Sequence, residues 1–341
     1  MNVFAKLIAV LLGLAAMPLQ AVAQSDTLAE IQERGYLRCG VNPGQIGMSM
    51  ADASGRWIGI GADLCRAVSA ATLGDADAVE FIPVTARNRF LALQSGEIDL
   101  LLRNTTWTFT RDVTQGVDFV GPYFVDEEKV MVARESGIEE LSQLNDRSVC
   151  VIAGGPSEVI MNDLALSASA NINIVPLGSA EQYRQAYIDG RCVGIADGQA
   201  ALLATRSSFS MPDEHVLIGN RLAYSPLSIG VRHGDDRWGD IVRWTFNALA
   251  TAEALNVNQD NVLQMSTQSS HPVIRRIFNS EGGSGALLGL ETSWAVRALQ
   301  STGNLGEIYD RSFGPDSDLP IERGPSALWQ DGGMIFPAPF E

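Results

Sequence analysis

Two stretches with one layout constrain this chain more than any other feature. Residues 91–100 (LALQSGEIDL) and 183–193 (YRQAYIDGRCV) each run from a helical pattern through a glycine stop into a short apolar run edged by polar residues. Repeated delivery of a helix into a short buried strand specifies an α/β architecture with a parallel or mixed sheet. The chain around each stretch fits. In the first half, Thr27 and Glu30 match a capping box that opens a helix ending at Gly35. Strands are predicted over 36–41, 57–60, 79–84 and 98–102, and helices over 62–73 and 87–94, the latter with Phe90, Leu91 and Leu93 inward. The pattern then restarts, with strands over 129–133, 149–153, 172–176 and 193–196 and helices over 159–167, 180–188 and 199–207. No short repeat period is present, so the halves read as two lobes of one architecture facing each other. A strand-like run (227–232) and helices over 238–253, 271–278, 293–300 and 305–313 follow, with a loose segment at 280–285. The end is rich in proline and glycine, an extended tail that Phe336 and Phe340 would pin to the body.

The apolar run 98–102, broken only by Asp99, leads into RNTTWTFTR (103–111), with four threonines, an asparagine, two arginines and two aromatics. Open α/β sheets bind small ligands just beyond the carboxyl ends of their strands. Threonine hydroxyls and loop N–H groups donate to anions, and arginine offers a planar fork for a carboxylate. A polar loop that merely caps the next helix has the same composition.

Other functions are narrowed by composition. Lys6, the apolar run 7–16 and Ala21-Val22-Ala23 read as a signal peptide cleaved after Ala23. The next residue, Gln24, is not a lipid-accepting cysteine, and no later apolar run reaches the ~20 residues of a membrane span. The expected mature chain has 318 residues, enough for two domains, and a formal charge of −17, which argues against nucleic acid and anionic membranes as partners. Cys39, Cys65, Cys150 and Cys192 allow three pairings, and disulfides are the default in an oxidising compartment. No C-x-x-C occurs, and His215, His233 and His271 are scattered, so neither a metal nor another cofactor is expected.

With these features in place, the chain resembles the periplasmic solute-binding proteins of polar amino acid ABC transporters (solute-binding protein family 3), in particular the general L-amino acid branch. The resemblance spans the expected mature chain. It rests on LRCGVN (37–42), DLCRAV (63–68), LQSGEID (93–99), RNTTWT (103–108) with Arg111, GRC (190–192), PVIRR (272–276) and GNLGEIY (303–309). It implies the two-lobed Venus-flytrap fold, with two mixed sheets joined by two hinge strands and ligand in the cleft between them. Lobe 1 would be residues 24–125 plus 225–341 and lobe 2 residues 126–224, with hinges near 124–126 and 224–227. It further implies that Arg111 forks a ligand carboxylate, assisted by Thr106 and the backbone at Asn104. Trp107 would line the cleft, as would Phe90 unless it packs in the core, the more ordinary fate of an aromatic on a helix face.

Several positions depart from the family pattern. Lobe 2 carries GGPS (154–157) where adjacent hydroxyls are usual, so Pro156 removes a hydroxyl and an N–H and leaves Ser157 alone. The aspartate that takes the ligand's amino group falls, counted without a gap, on Gly198. Asp197 stands one residue early and would need a bulge to face the ligand. Met48 and Ile60 also replace aromatics. The resemblance thus implies a carboxylate-bearing ligand and leaves open whether it is an amino acid or a divergent carboxylate without an ammonium. It further implies disulfides Cys39–Cys65 and Cys150–Cys192, each within one lobe, a periplasmic monomer, and a membrane permease as partner. Rival readings are a cyclohexadienyl or arogenate dehydratase on the same fold, which needs a general acid from Glu158 or Asp197, and a soluble sensor feeding a receptor.

Overall fold

The computed structural model describes residues 26–219, 222–279 and 283–341. The expected signal peptide, residues 1–23, lies outside the described residues, as does part of the loose segment at 280–285. The chain opens with α1 (Thr27–Arg34), β1 (Leu37–Val41), a small hairpin of β2 (Met50–Ala51) and β3 (Trp57–Ile58), and α2 (Ile60–Leu73). Next come β4 (Val79–Pro83), α3 (Arg89–Gln94), β5 (Leu100–Leu102) and α4 (Phe109–Thr114). A long strand, β6 (Val117–Ala133), leads to β7 (Ser148–Ile152), α5 (Pro156–Ser167), β8 (Asn173–Leu177), α6 (Ala180–Ile188), β9 (Gly194–Gly198), α7 (Gln199–Ser207) and β10 (His215–Ile218). The chain returns through β11 (Tyr224–Arg232) into α8 (Asp236–Ala254) and further helices, among them Trp294–Thr302 and Leu305–Phe313.

The main strands form one hydrogen-bonded path, β4-β1-β5-β11-β6-β9-β7-β8, with β10 also on β6. Pairs β1–β4, β1–β5, β7–β8 and β7–β9 are parallel, and those made by β6 and β11 are antiparallel. This is a mixed α/β sheet in two parts that share β6. One part belongs to the large core that holds Leu37, Val41, Leu100, Trp238 and Trp294. The other packs two smaller clusters, one around Val130, Val149 and Met161 and one around Met131, Tyr183 and Ile195. The two crossing strands run side by side, Tyr224 opposite Glu127 and Leu227 opposite Phe124, and their register shifts at Ser228. Such an irregularity breaks the regular ladder beside the crossing.

The disulfides Cys39–Cys65 and Cys150–Cys192 are both present. The first ties β1 to α2, and the second ties β7 to the turn before β9. Asp99, the polar intruder in the apolar run 98–102, is fully buried. Its carboxylate accepts Arg38 N–H at 2.8 Å and pairs with the Arg34 and Arg38 guanidiniums, so the charge is not stranded.

Local expectations fail in a few places, each for a physical reason. The cap of α1 is Asp26, which accepts from Ala29 N–H, not Thr27; Thr27 is buried inside the helix and gives its N–H to Asp235. On α3, Leu93 is buried as expected, but Leu91 is 67% exposed and Arg89 is buried, so the inward face carries a guanidinium in place of Leu91. The strand expected at 129–133 begins at Val117. Its polar middle, Asp126 to Lys129, hides it from any apolar pattern, and strands on both sides hold it extended. Phe340 packs edge-on against Trp244 and does pin the tail, but Phe336 is 66% exposed against Trp329. A second anchor is Ser326, whose hydroxyl bonds both N–H and C=O of Val125 on β6, at 2.9 and 3.1 Å.

Candidate ligand-binding site

A cleft of about 720 Å³ lies between the two parts of the sheet. Its walls come from element ends: the loops after β1 and β5, the starts of α5, α6 and α7, and the crossing strands. Ligands gather at such strand ends because loop N–H groups and helix N-termini are free there.

Three arginines line one side: Arg89 on α3 and Arg111 on α4, both buried, and the half-buried Arg103 after β5. Arg111 sits where it does because Thr108 caps α4 by accepting from Arg111 N–H. The guanidinium then reaches back to Thr106 C=O (2.9 Å) and across the cleft to Gly154 C=O (3.2 Å). Arg103 donates to Val84 C=O at 2.8 Å, and Nε of Arg89 has no partner. Burial lowers the pKa of Arg103 and of Arg111 to about 10, so both stay cations at neutral pH, and it holds Arg89 well below the usual arginine value.

Three acids face them: Asp126 and Glu128 on β6 and Asp197 on β9. Glu128 accepts from the hydroxyls of Ser157 (2.7 Å) and Ser225. Asp197 accepts from Tyr183 Oη (3.0 Å) and Gly198 N–H (2.8 Å). Burial, then mutual repulsion with Glu128, raises Asp126 to about 8 and Asp197 to about 7. Burial raises Glu128 as well. Among the described residues, no direct ion pair joins an arginine of this set to an acid of it; the arginines bond carbonyls and the acids bond hydroxyls and amides. A cleft that holds both signs of charge apart suits a dipolar guest with carboxylate and cationic ends.

The residues singled out in the sequence fall into two groups. Arg111, Thr106, Asn104, Ser157 and Asp197 all line the cleft. Asp197 does so without a bulge in its pairing with β6, where it sits opposite Lys129. Asn104, at φ 31°, gives its backbone N–H to Tyr123 Oη (3.1 Å), so its side chain, bonded to Asn42 and Gln45, is what faces the cleft rim. The hydroxyl of Ser157 is committed to Glu128 rather than free. Trp107 is a correction: it stacks on Phe119 at 5.9 Å, is 40% exposed, and is not among the cleft-lining residues. Phe90 joins a small core cluster beneath the Arg89 guanidinium. Pro156 is the first residue of α5, where a missing N–H costs nothing because that amide has no helical partner. Sequence reasoning missed Arg89, Asp126, Glu128, Tyr183 and Ser225. Of the three arginines, Arg103 and Arg111 carried a signal, through their threonine-rich setting.

Against this geometry, the sequence model for bacterial extracellular solute-binding proteins, family 3, matches residues 37–315. The chain belongs to that family. The general L-amino acid-binding periplasmic protein AapJ of Rhizobium johnstonii is 38% identical over 337 residues, 98% of each chain. The glutamate/glutamine/aspartate/asparagine-binding protein BztA of Rhodobacter capsulatus is 34% identical, over 93% of this chain and 94% of its own. A periplasmic binding protein from Brucella ovis, solved with glutathione bound, superposes with a TM-score of 0.88 at 39% identity, covering 92% of this chain and 99% of that one. This family member is therefore a periplasmic solute-binding protein of the two-lobed fold. Among the described residues, no helix is long and apolar enough to cross a membrane.

Proposed function

We propose that this chain captures a small zwitterion bearing one or more carboxylates, an acidic amino acid or a short γ-glutamyl peptide such as glutathione, and hands it to an ABC permease. The observation that carries this reading is the division of the cleft between three arginines, two of them buried, and three acids, two of them buried. Arg111 takes a ligand carboxylate in bidentate fashion, with Thr106 and the Asn104 side chain beside it. The start of α5 at Ser157 adds the positive end of a helix from the other wall. Residues 126–224 form the lobe that closes over residues 24–125 plus 225–341, and the crossing strands absorb the motion. Ligand shifts the open–closed balance only as far as it binds the closed form better. The names of the relatives support this class of ligand, and a volume of about 720 Å³ leaves room for more than a single small side chain.

One observation favours an enzymatic reading. Acids held partly neutral near pH 7, as Asp126 and Asp197 are, offer the general acid that a dehydratase requires. The reading of capture without turnover is the better supported, because the similar proteins are named for binding.

The experiment is a thermal-shift screen on ligand-stripped, refolded protein. The library holds the twenty amino acids, glutathione, and carboxylates without an ammonium. Ligand at ~100 times its Kd adds about 2.7 kcal/mol. Shifts with amino-bearing carboxylates support the proposal; shifts only with amine-free carboxylates sink it. Incubation with prephenate or arogenate, followed for product, separates capture from turnover.

A further inference from the structure

We propose that Asp126, carried by the crossing strand β6, is the residue that takes the ligand's ammonium group, and that Gly198 is there to make room for it. The inference rests on the zwitterionic ligand just described and assigns the cationic end of that ligand to one side chain.

Strand pairing places the two residues together. Gly198 of β9 lies opposite Glu128 of β6, and Asp126 is two residues further along the same face. A Cβ at position 198 would collide with Asp126 Oδ2 and lie 3.0 Å from its Cγ. The backbone does not need glycine there, since φ −60° and ψ 146° suit any residue. The requirement is space, and a carboxylate from a different strand fills that space.

The hydrogen bonds single out one oxygen. Both oxygens of Glu128 are taken by the Ser157 and Ser225 hydroxyls, and both of Asp197 by Tyr183 and Gly198. Asp126 Oδ1 accepts from Glu127 N–H at 2.9 Å and Ala200 N–H at 3.2 Å. Among the described residues its Oδ2 has only the shared Ala200 N–H at 3.4 Å. A buried carboxylate oxygen that lines a cleft, with one weak donor, is a site for a charged donor from the guest.

A plain structural role competes. Gly198 is the N-cap of α7 and has no side chain, so Asp126 serves as the cap from outside, through Ala200 N–H. That role is met by Oδ1 and leaves Oδ2 unused. The test must therefore separate capping from recognition.

The full mature chain, refolded without ligand, is titrated calorimetrically with L-glutamate, L-glutamine and glutathione, and with glutarate as the amine-free counterpart of L-glutamate. Three variants are compared: Asp126→Asn, Gly198→Ala, and the double variant Asp126→Ala/Gly198→Asp. In the double variant the new aspartate caps α7 from its own N-cap position and returns a carboxylate to the same place. Asp126→Asn is expected to weaken the tightest amino-bearing probe about 10- to 100-fold and to lower its preference over glutarate. Gly198→Ala does the same by displacing Asp126, and the double variant recovers most of the loss. Asp126→Asn binding within threefold of the parent overturns the inference and leaves the proposed function standing. Equal losses for amino-bearing and amine-free probes assign Asp126 to capping alone and also overturn it. A parent that binds none of the amino-bearing probes overturns both.

Discussion

Raising the pH should destabilise the ligand-free protein across the neutral range, the reverse of what a protein with salt-bridged acids does. Asp126 titrates at about 8 and Asp197 at about 7, against an ordinary 3.8, because burial and then repulsion from Glu128 disfavour their charge. Between pH 5 and 7.5 the folded chain keeps protons on these groups that the unfolded chain has lost. Stability therefore falls as pH rises, by up to about 1.4 kcal/mol per pH unit for each group still protonated in the fold. The contribution is complete below the unfolded value of 3.8 and is gone above about 8. His215 works against it: burial lowers its pKa below 6.5, so it returns stability as pH rises through that narrow window. Asp126 alone removes roughly 3 kcal/mol over this range. At about 2 °C per kcal/mol for a chain of this size, that is a drop in Tm of about 6 °C. Differential scanning calorimetry in buffers from pH 5 to 7.5, at constant ionic strength and on ligand-stripped protein, reads it directly. Asp126→Asn, which cannot ionise, should remove about half of the slope. A Tm that is flat or rising with pH, or a slope that survives Asp126→Asn intact, would refute the assignment of buried, neutral acids to the cleft.

Other outcomes follow from the same geometry. Arg111→Ala should cost about 100-fold or more in affinity for a carboxylate probe by calorimetry, since two charge-assisted bonds of ~1.5–3 kcal/mol each are lost; Arg111→Lys should recover only part, having no fork. Trp107→Leu should leave probe affinity within threefold, because that ring stacks on Phe119 outside the cleft. Replacing Cys150 and Cys192 by serine opens a loop with a sequence separation of 42 and should lower unfolding stability in urea by about 2–4 kcal/mol, with the open–closed response to ligand retained.

The strands and helices legible in the sequence are those with a strong local signal. Helix α6, capped by Ser179, runs over the span its periodicity marks. Gly35 and Gly74 close helices in the left-handed conformation that glycine adopts readily. The cleft was legible in part: Ser157 and Asp197 on one wall and Arg111, Thr106 and Asn104 on the other were marked by the sequence, and the acids of β6 were not. Arg111 announced itself because the polar run around it follows a buried strand. Asp126 and Glu128 did not, since acids in a polar stretch look like any exposed segment until pairing partners bury them. Arg89 was hidden for the complementary reason: an arginine beside leucines on a short helix is ordinarily the exposed member.

Near neighbours along the chain, then, settle the alternation of elements, the polar loop 103–111 that follows a buried strand, and the family that these residues mark. Tertiary structure decided which charges share the cleft, because strands far apart in the chain had to pair before Asp126 could meet Gly198 and the Arg111 guanidinium could reach Gly154. Burial is a property of that assembly. It withdraws ordinary acids and arginines from solvent and leaves them bonded to neutral groups, and no local pattern of residues records where it will fall.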